Sequence, residues 1–110
     1  MDLDQQLAKL REEYVASFPL KREAFECWAH RITFEESELP KLDELKTLAH
    51  RLAGSAGTHG FDELAAAATR LESVILSADP DTLDRPAFRE ALVERIADVC
   101  GRLGCDQDPG

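Results

Sequence analysis

A histidine in the middle of a predicted helix, with almost nothing around it, is the feature of this sequence most able to do chemistry. Leu42, Leu45, Leu48, Ala49, Leu52 and Ala56 recur at helical spacing and define one apolar face. His50 falls roughly 120–140° from the centre of that face and is expected to point to solvent or to the margin of a bundle. Its neighbours on that side are Ala53, Gly54 and Gly57, with Lys46 and Thr47 one turn earlier. A glycine inside a helix costs roughly 0.5–1 kcal/mol relative to alanine, so Gly54 answers some requirement other than helix stability. The reading is an imidazole on a cleared patch, open to another protein's active site. A neutral imidazole nitrogen is a competent nucleophile near neutral pH and forms covalent intermediates. Phosphoryl transfer needs alignment and charge neutralisation, which a metal-bearing partner could supply and Lys46 and Arg51 could assist.

The elements that must hold this histidine follow from the spacing of apolar residues. Helical segments are predicted from about Leu3 to Phe18, from Leu20 to Phe34, from Lys41 to Ala56 or Gly57, from Asp62 to Ser77 and from Pro86 to Leu103. Pro19 separates the first two, Pro40 opens the third, Gly60 is a candidate for positive φ, and Asp84 is the expected N-cap of the last. No strand-like alternation occurs. Short connections between long amphipathic helices predict an all-α fold: an antiparallel up-and-down four-helix bundle with an additional N-terminal helical segment. The domain is expected over residues 1–105, with 106–110 a frayed tail. Trp28, Phe25 and Phe34 are assigned to packing. Ala24, Cys27, Trp28, Arg31 and Ile32 are placed on one side of the second segment.

Composition narrows the partners. The chain has 110 residues, 22 of them acidic against 13 basic, a formal charge of −9. Such a surface repels nucleic-acid phosphates and anionic membranes, which leaves proteins. The start Met1-Asp2-Leu3-Asp4 lacks the basic and apolar regions of a signal peptide. Three cysteines, an odd number, fit reduced thiols and a cytoplasmic location. A monomer is expected on the premise that the apolar stripes are used up within the bundle. His59 reads as a solvated loop residue. Cys27, His30, Cys100 and Cys105 make a nominal zinc set, but their spacing is a poor match to known sites.

The segment Ala49-His50-Arg51-Leu52-Ala53-Gly54-Ser55-Ala56, followed by Gly60, Leu64, Ala68 and Leu71-Glu72, resembles the motif of the histidine phosphotransfer (HPt) domain family. The resemblance implies a phosphoryl carrier, without kinase or phosphatase activity of its own, that relays the group between receiver-domain aspartates. His50 would be the phosphorylated residue and Gly54 the small residue that lets the receiver approach. Partners would be response-regulator receivers or a hybrid kinase, and no cofactor is expected in the chain itself, because the receiver brings Mg²⁺. One position departs from the motif: Ala53 stands where the family carries Lys or Arg. That departure supports the alternative of an HPt-like interaction module that binds receivers without phosphotransfer.

Overall fold

The computed structural model describes residues 2–34, 42–79 and 85–104. They form five helices: α1 (Leu3–Ala16), α2 (Phe18–Phe34), α3 (Asp43–Thr58), α4 (Asp62–Leu76) and α5 (Pro86–Gly104). No strand occurs among the described residues. The expected positions of Pro40, Asp84 and the tail lie outside them.

Local chemistry sets the boundaries. Asp2 caps α1 by accepting from the Gln5 N–H at 2.9 Å. The break between the first two helices falls at Ser17 rather than after Phe18, so Phe18 belongs to α2 and is buried. Pro19 then sits in the first turn of α2, where its missing N–H costs no helical hydrogen bond. Asp43 and Glu44 occupy the first turn of α3, where negative charge complements the helix dipole. α3 continues through Gly57 and ends in a Schellman motif: the Phe61 N–H reaches the Ala56 carbonyl at 2.8 Å and the Gly60 N–H the Gly57 carbonyl at 3.2 Å. Gly60 has φ +83°, the left-handed conformation expected of it.

Helix α3 packs on α4, α4 on α5, and α5 on α2. The interior is filled by Phe25, Trp28 and Ile32 from α2, Leu45, Ala49, Leu52 and Ala56 from α3, Leu64, Ala68, Leu71 and Ile75 from α4, and Leu92, Ile96, Val99 and Leu103 from α5. Each set recurs every three or four residues, so the four helices bury one face each around a shared core. Across α4 and α5, Asp98 accepts from Arg70 at 3.1 Å and from Arg102 at 3.2 Å, and Arg102 also reaches Glu63 at 3.0 Å. Partial burial pushes the Asp98 pKa up, but the hydrogen bonds and charges of the two arginines outweigh it and hold the carboxyl below its usual range. The stabilisation from this lowered pKa is present above the unfolded value of about 3.9 and is lost as pH falls through the folded one. Asp98→Asn is expected to cost about 0.5–1 kcal/mol at neutral pH, given solvent screening, and almost nothing at strongly acidic pH. Urea unfolding at the two pH values measures the difference.

Several packing expectations need correction. Phe34 is 68% exposed, because it ends α2 beyond the reach of the core. Cys27, placed on the same side of the helix as Trp28, is exposed, whereas Arg31 does share that side and lies over the Trp28 ring at 4.5 Å. Most consequentially, Leu3, Leu7 and Leu10 are 67%, 54% and 51% exposed. The molecule measures 55 × 27 × 18 Å, whereas α5, its longest helix, spans only about 28 Å at 1.5 Å per residue. Helix α1 meets the bundle through Tyr14 and Arg11, which lie against His59 and Phe61, and its first turns stay exposed. The premise that the apolar stripes are consumed internally therefore fails for this helix.

Candidate functional site

His50 stands at mid-α3 with its side chain 75% exposed. Its Nδ1 lies 2.9 Å from Oε2 of Glu72 on α4. A carboxylate only accepts hydrogen bonds, so Nδ1 carries the proton and donates it. The lone pair of the neutral ring then belongs to Nε2, the nitrogen on the far side of the ring from Glu72. The α3–α4 register brings this pair together: a Cβ at Gly57 would sit 4.0 Å from that of Ala65, and seven residues further along each of the two antiparallel helices His50 meets Glu72. The sequence motif includes Glu72, but no local pattern announces a contact between residues 22 apart.

The surroundings of the ring are clear. A Cβ added at Gly54 would meet nothing within 4 Å, and Gly57 is also exposed. Neither glycine is required by close packing among the described residues. Thr47 returns its hydroxyl to the Asp43 carbonyl at 2.9 Å and is exposed. Ala53 is partly buried and packs against the core. Lys46, at i−4 from His50, is half-buried. Arg51 is exposed and lines a shallow groove with Trp28, Asp43, Glu44, Thr47 and Leu48, on the flank of α3 away from Glu72. Neither Lys46 nor Arg51 forms an ion pair among the described residues. The chain holds 22 acidic residues, yet none falls between Glu44 and Asp62. That stretch carries Lys46, His50 and Arg51, and is a basic island in an acidic molecule.

The remaining titratable groups play other parts. His59 is not a solvated loop residue: it caps α3, donates from Nδ1 to the Ser55 carbonyl at 2.8 Å, and stacks on Tyr14 with ring centroids 4.1 Å apart. The Tyr14 hydroxyl is 2.6 Å from Ser55 Oγ, which fastens the end of α1 to α3. Burial pushes the Tyr14 phenol up, against the opposing effect of the Ser55 hydrogen bond. The Cys100 thiol is pushed up to about 11 by burial and by Glu26, and its Sγ points to the Arg22 carbonyl. No group of three or more His, Cys, Asp or Glu side chains able to hold a metal occurs among the described residues, and Cys105 lies outside them.

The model of the Hpt domain family matches residues 1–103. The chain belongs to the Hpt family. Neither the curated proteins nor the solved structures yield a match to it. Hpt domains are phosphocarrier modules of two-component signalling that interact with receiver domains and histidine kinases, and are neither kinases nor phosphatases. This Hpt domain keeps the family's helical bundle. No helix among its described residues is long and apolar enough to cross a membrane.

Proposed function

We propose that this Hpt domain relays a phosphoryl group between receiver-domain aspartates through His50. The observation that carries the reading is the exposed imidazole whose Nδ1 is engaged by Glu72, which leaves Nε2 as the nucleophile beside a glycine with no packing role. The Nε2 lone pair attacks the phosphorus of a receiver's aspartyl phosphate. The P–N bond forms as the P–O bond to the carboxyl breaks, and the aspartate leaves as carboxylate. The proton stays on Nδ1, hydrogen-bonded to Glu72 throughout, and the carboxylate stabilises the charge the ring acquires. Return transfer to a second receiver is the same step reversed. Mg²⁺, which neutralises phosphoryl charge in such reactions, belongs to the receiver's site, and Lys46 and Arg51 add positive charge around the acceptor. Thr47, Ala53, Gly54 and Gly57 form the floor on which the receiver rests. A cytoplasmic location follows, since cytoplasmic receivers are the partners.

Incubation with a phosphorylated receiver tests this: the chain takes up phosphate in an acid-labile, alkali-stable linkage. Glu72 acts as a positioning residue. Glu72→Ala is expected to slow uptake by roughly three- to tenfold, the loss of about 1 kcal/mol of orientation and charge stabilisation. Glu72→Gln, whose carbonyl still accepts from Nδ1 but carries no charge, restores the orienting part of the rate. A purely structural role would move the unfolding midpoint without this rescue.

Ala53 favours a second reading. Because the family's usual cation is replaced there by a side chain packed on the core, the domain would bind receivers without accepting phosphate. Receiver binding with no acid-labile label is the result that would select it.

A further inference from the structure

Leu3, Leu7, Leu10 and Tyr14 follow one another at intervals of four, three and four, the spacing of the a and d positions in a two-stranded coiled coil. Tyr14 is covered by His59 and Phe61 of its own bundle, with the Phe61 ring at 5.6 Å. The three leucines are exposed on the first turns of α1. A helix this short is marginal in water without something packed on its apolar stripe.

We propose that this stripe is an antiparallel helix–helix interface between two copies of this chain. The charges beside it choose the partner and the direction. On the helical wheel, Asp4 and Arg11 border one edge of the stripe, and Gln6 and Glu13 border the other. A parallel pair sets unlike edges together, opposes Arg11 to Gln6 and makes no ion pair. An antiparallel pair about a two-fold axis sets each edge against itself. Asp4 of each copy then faces Arg11 of the other, giving two reciprocal ion pairs, and Gln6 faces Glu13 on the opposite edge without like-charge contact. Leu7 of one copy packs against Leu10 of its mate. Arg11 is already held in place, its guanidinium 4.3 Å above the centre of the Phe61 ring. Stacking occupies the face of the guanidinium and leaves its in-plane N–H groups for a carboxylate. Asp4 has no ion-pair partner among the described residues, so it is available for this one.

The interface is a short helix pair, smaller than a standard stable interface, so association is reversible and concentration-dependent. It lies past the α3–α4 turn, whereas His50 stands eight residues, about 12 Å, before the end of α3. Both copies therefore keep the imidazole open. This inference is independent of the phosphoryl-transfer reading, because self-association and phosphate uptake are separate measurements.

Sedimentation equilibrium of the full chain over a rising concentration series is expected to show a monomer–dimer equilibrium. Leu7→Glu should raise the dissociation constant by on the order of a hundredfold, from burial lost in both copies, with an unchanged far-ultraviolet circular dichroism spectrum. Asp4→Arg alone and Arg11→Asp alone should each weaken self-association about tenfold, and an equimolar mixture of the two variants should restore it. A wild-type chain that stays monomeric throughout overturns the proposal. If Leu7→Glu in such a monomer impairs phosphate uptake, the stripe belongs to the receiver interface instead. A dimer unaffected by Leu7→Glu, or variants whose mixture fails to restore association, overturns it equally.

Discussion

His50→Gln is expected to accept no phosphoryl group from a phosphorylated receiver while remaining as well folded as the wild type. The side chain is mostly exposed and touches the rest of the protein through Glu72. Removing that contact costs no more than about 1 kcal/mol, since an exposed ion pair contributes little. Glutamine preserves the polarity of the surface and offers no ring nitrogen. Loss of uptake at unchanged thermal stability would therefore isolate the nucleophile from the fold. Unimpaired labelling of this variant would move the acceptor elsewhere, and His59 would be the first place to look. Its Nδ1 is committed to the Ser55 carbonyl and its ring is pressed against Tyr14, so the structure gives it no comparable approach.

The second large effect is at Gly54, where stability and function should part company. Nothing among the described residues comes within 4 Å of a Cβ at this position, so a side chain meets open space. Gly54→Ala is expected to stabilise the domain by about 0.5–1 kcal/mol, through the helix propensity that glycine forfeits. Gly54→Leu keeps most of that gain but places a branched side chain one turn from His50, on the path of the incoming receiver. Displacing the reacting atoms by about 1 Å is enough to cost on the order of a hundredfold in rate. A more stable leucine variant that transfers about a hundredfold more slowly is the expected result, read by thermal unfolding beside a transfer time course. Equal transfer rates would mean that the glycine serves no partner.

How far the sequence disclosed all this differs from element to element. The helices of the bundle were legible because each buries a face whose period is that of an α-helix. The exposure of His50 was legible for the same reason, being a position on a wheel. What periodicity reports is that a face is apolar, never that something covers it. That is why the stripe of Leu3, Leu7 and Leu10, counted among those used up within the bundle, proved to be surface, and why Phe34, which does end α2, was wrongly assigned to packing. The Glu72 contact depended on the register between α3 and α4, which a single sequence does not state. His59 read as a loop residue because it adjoins Gly60, yet the capping turn folds it back onto Tyr14. The basic stretch between Glu44 and Asp62 was present in the sequence all along. Its meaning emerged only once α3 was seen to present it around an open imidazole.

The measurement that bears most directly on the central claim is the chemical location of the transferred phosphate. After incubation with a phosphorylated receiver and quenching in alkali, nuclear magnetic resonance of the labelled chain should find one phosphoryl group, bonded to Nε2 of His50. Phosphate on Nδ1, on another residue, or on no residue at all would contradict the account.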